Sequence, residues 1–471
     1  MSSRRARAAG ALRRRGRAVG APGPRARRRW RSGVLAALAT TALLAGAACG
    51  SRLPESDFEE RPPAPRGSRQ GPPVRVGIIT SATSPVGGSA FTGPRDGAEA
   101  YFDRLNDRGG VGGRKVEVHT CDDGGSGVGN NECVHQLLDE KKVVALVATT
   151  SLDYAGASRV SKAGVPDIGG QPIGSAYDTY PHLYGIYGSL APRDGEPGWD
   201  GELYGGTEVY RYFKREHGAR TAAVVSYNQA ASAAYARLVK RGLEAEGYDV
   251  VTEQVDFALP NFRAVAADLK DRGVDLVFDA LDTHGNAQLC KGMDDVGADI
   301  TAKVTNVQNW SSTVAEDYKG APRCRNALWA TGSSRNYEDT DHPAVREFRD
   351  ATKGAKVHSQ WQLEGWAAAM WFTDAAKSCS AAGSDVTRGC VDRFMSRGEP
   401  YDARGLLLPV TYERRERPPK TRETCVSVAR WRDGADSGGA DGAGSADDEG
   451  WVTQGEMNRT CFDVPQLSYQ P

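Results

Sequence analysis

The first 31 residues hold twelve arginines and not one Asp, Glu or Lys. The uncharged apolar run that follows, Val34 to Ala48, falls short of the roughly 20 residues that a membrane-spanning helix needs. The motifs of the common enzyme classes are missing as well. There is no G-x-S-x-G elbow, no H-E-x-x-H, no G-x-x-x-x-G-K-[ST], and no G-x-G-x-x-G opening a helix after the first strand. Gly125-Ser126-Gly127-Val128-Gly129 is Gly-rich at the wrong spacing and reads as a flexible loop. Histidine is scarce: the seven stand at 119, 135, 182, 217, 284, 342 and 358, and only His119 and His135 are linked by local sequence. No nucleophile–base pair is visible, so the expectation is a protein that is not an enzyme and carries no cofactor.

What is present at the start is a basic segment, a short apolar run and the small residues Gly46-Ala47-Ala48 before Cys49, the marks of an export signal. With Cys at that place the segment resembles a bacterial lipoprotein signal, which implies cleavage before Cys49 and a lipid on its thiol. It departs from that pattern three places before Cys49, where Gly46 stands and Leu44 lies two further back. Ordinary secretion is the alternative, and Arg28-Arg29-Trp30 leaves a twin-arginine route open. Removal of residues 1–48 takes away twelve basic and no acidic residues, leaving 48 basic against 60 acidic. An acidic mature surface argues against nucleic acid, whose phosphates are bound by Lys and Arg.

Besides Cys49 there are eight cysteines, at 121, 133, 290, 324, 379, 390, 425 and 461. An even number in an exported chain suits disulfides. The simplest pairing is sequential: 121–133, 290–324, 379–390 and 425–461. At the first pair a rival exists, because His119-x-Cys121 and Cys133-x-His135 form a mirror-image set of zinc ligands.

Residues 49–73, rich in Pro and charge, read as a disordered tether. Thereafter short apolar strands alternate with helical patterns. VRVGIIT (74–80) precedes a helix at 96–110, a strand at 114–123, a helix at 130–141 and a strand at 143–149. Further on come a helix around 201–217, strands at 221–227, 248–257 and 274–281, and helices at 231–246, 261–272 and 285–296. A parallel sheet with helices on both faces is expected, with ligand loops at the carboxyl ends of its strands. About 400 residues from Val74 onward suggest two lobes.

VRVGIITSATSPVG, GAEAYFDRLNDRGGVGGRKVEVHTCDDGG, VVALVATTS, SKAGVPDIG, AYARLVKRGLEAEGYDVV and VDLVFDAL together resemble the type I periplasmic binding proteins, in the branch that serves ABC importers of branched-chain amino acids and amides. The resemblance covers roughly residues 74–412. It implies an α/β fold of two Rossmann-like lobes with parallel-rich sheets, joined by three hinge segments expected near 188–194, 327–333 and 407–412. The implied organisation is lobe 1 at 74–190 and 329–410, and lobe 2 at 191–328. Residues 411–471 return to lobe 2 as a hairpin of 424–431 with 450–454, around the Gly/Asp-rich loop 433–449. That loop lacks the spacing of a calcium motif.

The resemblance also implies which loops meet a ligand. After the strand at 143–149 come Thr149, Thr150 and Ser151, whose hydroxyls and backbone N–H groups at a helix start suit an anion; plain N-capping by Ser151 is the alternative. Gln171 opens on the same cleft. From lobe 2 come Tyr227, Asp282, Thr283 and Asn309. The pattern breaks in two places. An aromatic expected after the strand ending at Tyr227 falls on Ala231, with Tyr227 or Tyr235 as substitutes. The acid for a ligand ammonium falls on Gln308 or Asn309, both neutral, leaving Asp282 to supply charge. The aromatic helix holding Trp361, Trp366, Trp371 and Phe372 reads as core packing or as a cleft wall. The expectation is a membrane-tethered lipoprotein that binds a small polar ligand, an amino acid, amide or related metabolite, for an ABC permease. A sensing ectodomain of the same fold is the first rival, and a secreted hydrolase the second.

Overall fold

A computed structural model of the 471-residue chain describes residues 71–470 apart from 86, 88, 89, 435–448 and 456. The expected signal at 1–48, the lipid site Cys49, most of the tether and most of the loop 433–449 lie outside the described residues.

Apolar β-branched runs make the first sheet. Strands β1 (Val74–Thr80), β2 (Val116–Asp122), β3 (Ala145–Val147), β4 (Asp167–Gly170) and β5 (Leu183–Gly185) are all parallel, in the order β2-β1-β3-β4-β5. Val76, Ile78, Leu146, Val147 and Ile168 are buried, as a sheet covered on both faces requires. The second sheet holds β7 (Thr221–Tyr227), β8 (Asp249–Val255), β9 (Leu276–Ala280), β10 (Ala302–Thr305) and β11 (Leu328–Gly332), mutually parallel. Beside them lie β13 (Ser427–Arg432) and β14 (Gly450–Thr453), antiparallel, giving the order β14-β13-β11-β10-β9-β7-β8. Two small ladders, β6 (Leu203–Gly205) with β16 (Leu467–Tyr469) and β12 (Thr421–Cys425) with β15 (Cys461–Pro465), complete the strands. The expected helix around 201–217 is therefore shorter, Glu208–His217. Its first residues pair instead with the chain terminus, a long-range contact that periodicity does not register. Similarly, the expected helix at 130–141 is a regular helix only over Gly127–His135 and continues in a wider π-turn, Gln136–Glu140.

The chain passes between the sheets three times, and the connecting segments lie side by side. Ser189 N–H donates to Thr411 O at 3.0 Å, Leu408 N–H to Ser333 O at 2.8 Å and Arg335 N–H to Leu406 O at 2.7 Å. A lobe movement must bend all three strips together.

The helix Gln360–Ala381 passes through the first lobe and is buried on nearly every face. Trp366 meets Tyr101 edge-on at 4.9 Å and Phe348 at 5.9 Å, while Trp361 packs edge-on to Phe91 at 5.6 Å. The aromatic run is core. Two glycines allow its close approach to the helix Thr92–Asp107: a Cβ on Gly97 would lie 1.8 Å from Gln362 O, and one on Gly365 2.0 Å from Pro94 O. Disulfides join Cys121–Cys133, Cys290–Cys324, Cys379–Cys390 and Cys425–Cys461. The first bond leaves neither thiol to ligate zinc, so the mirror-image metal set is overturned. Among the described residues no group of three or more His, Cys, Asp or Glu is placed to hold a metal ion.

Candidate functional site

The carboxyl ends of β1, β2 and β3 meet around one carboxylate. Asp123, 2 % exposed, follows β2 directly. Its Oδ1 accepts from Ser81 Oγ at 2.6 Å and Gly125 N–H at 2.8 Å. Its Oδ2 accepts from Ser151 Oγ at 2.5 Å and Asn130 Nδ2 at 3.1 Å. Four donors saturate it, and a buried carboxylate without them would be costly. Ser151 does not cap a helix; the next begins at Ala157. Its neighbours also turn inward: Thr149 Oγ1 donates to Asp167 Oδ1 at 2.9 Å, and Thr150 Oγ1 to Ala148 O at 3.1 Å.

A cavity of about 430 Å³ opens between the loop after β3 and the loop after β4. Ser151, Tyr154, Gln171, Tyr177 and Tyr180 are among the residues lining it. Behind it lies Asp167, fully buried, which accepts from Tyr154 Oη at 2.7 Å and Tyr177 Oη at 2.9 Å. Burial pushes the Asp167 carboxyl up to about 6, and burial together with Asp167 holds both phenols well above their ordinary range, so they keep their protons. Gln171 reaches the other way: its Nε2 donates to Glu364 Oε2 at 2.8 Å.

Glu364 stands on the long aromatic helix with no exposed surface. Besides Gln171 it accepts from Ser334 Oγ at 2.6 Å and from Tyr187 Oη at 3.0 Å. Tyr187 and Ser334 belong to two of the three crossing segments, so one carboxylate joins a cavity wall to the hinge. Burial pushes it up to about 7, opposed by these hydrogen bonds.

In the second lobe the four expected residues form one connected group. Tyr227 Oη donates to Asp282 Oδ1 at 2.8 Å, and the same oxygen caps the helix Thr283–Val296 by accepting Gly285 N–H at 2.9 Å. Thr283 Oγ1 donates to Asn309 Oδ1 at 2.7 Å. Beneath, fully buried Lys303 is paired with Asp279 and donates to Asn286 Oδ1 at 2.6 Å, fixing the first turn of that helix. Among the described residues no hydrogen bond or ion pair joins the Ser151 or Gln171 side chain directly to this group. The lobes approach one another at Gly87 and Gln308, where a Cβ on Gly87 would lie 2.6 Å from Gln308 Nε2. The Ala231 side chain lies outside the described residues.

Sequence reasoning missed Asp123, Asp167 and Glu364. The paired Asp122-Asp123 at a strand end was a signal for the first; Asp in VPDIGG and Glu in WQLEGW, acids within apolar segments, were signals for the others.

A carboxyl raised by burial stabilises the fold when protonated. Its contribution is full below the unfolded value near 4.5 and is lost as pH rises through about 7. The Glu364→Gln variant should therefore lose less stability than wild type between pH 5 and 8. The slopes should differ by up to about 1.4 kcal/mol per pH unit. Urea unfolding at several pH values checks this, and equal slopes would contradict it.

Among solved structures, a fatty acid ABC transporter substrate-binding protein from Thermomonospora curvata superposes with TM-score 0.59 at 16 % identity, covering 85 % of this chain and 96 % of that one. A leucine-binding protein from Thermotoga maritima gives 0.60 at 13 %, covering 82 % and 99 %. An ABC transporter solute-binding protein from R. palustris, in complex with benzoate, gives 0.58 at 15 %, covering 84 % and 97 %. No curated protein sequence matches the chain. A family model described as periplasmic binding protein matches residues 73–438. The two parallel-rich sheets, the three adjacent crossings and that match make this chain a member of the periplasmic binding protein family, with the type I fold.

Proposed function

We propose that the chain is an extracytoplasmic solute-binding lipoprotein that captures a small polar ligand, an amino acid, amide or related metabolite, and presents it to an ABC importer. The carrying observation is the pair of polar clusters, each at the carboxyl ends of parallel strands, on lobes joined by three hydrogen-bonded strips. Strand-end loops are where open α/β sheets hold ligands. Closure is driven by higher ligand affinity for the closed state. The residues proposed to meet the ligand are Ser151 and Gln171 on one lobe, and Tyr227, Asp282, Thr283 and Asn309 on the other, with Thr149 and Thr150 supporting the first loop. The named ligands of the solved relatives, a fatty acid, leucine and benzoate, differ too widely to choose one here.

The lipid anchor rests on the sequence alone. Among the described residues no helix is long and apolar enough to cross a membrane. An acyl chain on Cys49 would supply attachment of the kind a single lipid gives, reinforced by a second. Mass spectrometry of the mature N-terminus is expected to find lipidated Cys49 as the first residue; an unmodified Cys49 or another cleavage point would contradict this.

For the binding role, a thermal-shift screen of amino acids, amides and small metabolites should find a stabilising ligand, and calorimetry should follow. Asp282→Asn keeps a helix cap and removes one charge, so it should weaken that ligand by about 1.5–3 kcal/mol. Unchanged affinity in both Asp282→Asn and Gln171→Ala would overturn the site assignment.

A further inference from the structure

We propose that the first-lobe wall of the cleft is built to accept hydrogen bonds, so that the ligand end lodged there is an amine or other N–H donor and not a carboxylate. This deepens the solute-binding reading and rests on it. Serine, threonine and tyrosine each have a single hydroxyl proton, and the structure shows where those protons go. Ser81 and Ser151 donate to Asp123, Thr149 to Asp167, and Thr150 to Ala148 O. Across the cavity, Tyr154 and Tyr177 donate to Asp167. The backbone follows suit: Leu152 N–H donates to Ser81 Oγ at 2.9 Å, and Gln171 N–H to Thr149 O at 2.8 Å. One N–H of the Gln171 amide nitrogen is engaged by Glu364, which leaves it a second.

Each of these donors is directed at an acceptor inside the lobe, three of which are side-chain carboxylates: Asp123, Asp167 and Glu364, 2 %, 0 % and 0 % exposed. Internal carboxylates thus already take the Ser151 and Thr149 hydroxyl protons that a ligand carboxylate would need from the loop after β3. Of these groups Ser151, Tyr154, Tyr177 and Gln171 line the cavity, and what the three hydroxyls retain there is lone pairs. The residues lining the cavity include no Lys, Arg or His, and its one carboxylate side chain, Asp153, is exposed. An anion placed there would meet oxygen and negative charge with no compensating cation, a repulsive arrangement of the kind that sets specificity. An ammonium or amide N–H₂ would find acceptors and, for the cation, a favourable field.

The test is a thermal-shift and calorimetry panel on the full, processed protein with four-carbon probes differing only in end group: 1,4-diaminobutane, 4-aminobutanamide, 4-aminobutanoate and butanedioate. It is extended to longer amines, amides and carboxylates of matched size. Amines or amides should stabilise the protein and dicarboxylates should not. Binding of the amines should weaken several-fold in Asp153→Asn, an exposed position whose change leaves the buried network intact, while amide binding should be unaffected. If carboxylates without a donor end stabilise the protein best, the inference is overturned and the solute-binding reading stands. If no probe in the extended panel stabilises it, both fall.

Discussion

The Glu364 carboxylate is the point through which the parts of this molecule are tied. It has no exposed surface, and Gln171, Tyr187 and Ser334 converge on it from a strand-end loop and two hinge strips. A buried carboxylate costs several kcal/mol unless its oxygens are satisfied, so those three segments cannot drift apart independently. The helix that carries it is held in turn by Gly97 and Gly365, whose lack of a side chain lets two helices touch backbone to backbone. Packing therefore fixes the helix, the helix fixes the carboxylate, and the carboxylate links the cavity wall to the hinge.

The same device recurs on a smaller scale. Asp123 gathers the ends of β1, β2 and β3 by accepting from Ser81, Gly125, Asn130 and Ser151. Asp167 gathers the loops after β3 and β4 through Thr149, Tyr154 and Tyr177. In the second lobe Asp279 holds Lys303 and Asn286, and so sets the helix start that Asp282 caps. Surface loops are usually the least stable part of a structure; here the first-lobe loops after β1, β2, β3 and β4 are each tied to a buried acid. Such preorganisation lowers the ordering cost of ligand capture, and it decides which hydrogen-bonding groups remain to be offered.

Much of the frame is legible in the sequence because local rules carry it. VRVGIIT and TAAVVSY are strands on composition alone, and the alternation of strand and helix reports parallel sheets. Their ends then pick out Tyr227, Asp282 and Asn309, which the structure brings to the start of one helix. The cysteine pairs are close in sequence, so sequential pairing needed no knowledge of the fold. The hydroxyls of Thr149 and Ser151 are a different matter. Their direction is set by Asp167 and Asp123, which lie 18 and 28 residues away in the chain, and residue type alone says equally well that they face an anion. The sequence suggests a carboxylate at that loop, whereas the structure shows the protein's own acids there. Glu364 was hidden for a related reason: within WQLEGW it sits among core aromatics, and only tertiary contacts reveal what it joins. Residues 203–205 escaped notice because their partner strand lies at the far end of the chain.

The most direct measurement is a crystal structure of the protein with the ligand that the screen identifies. The account predicts the ligand between the lobes, touching Gln171 or Ser151 on one side and Asp282 or Asn309 on the other, with the Asp123 network intact and an N–H group against the first-lobe wall. A ligand bound outside this cleft, or held by one lobe alone, would contradict it.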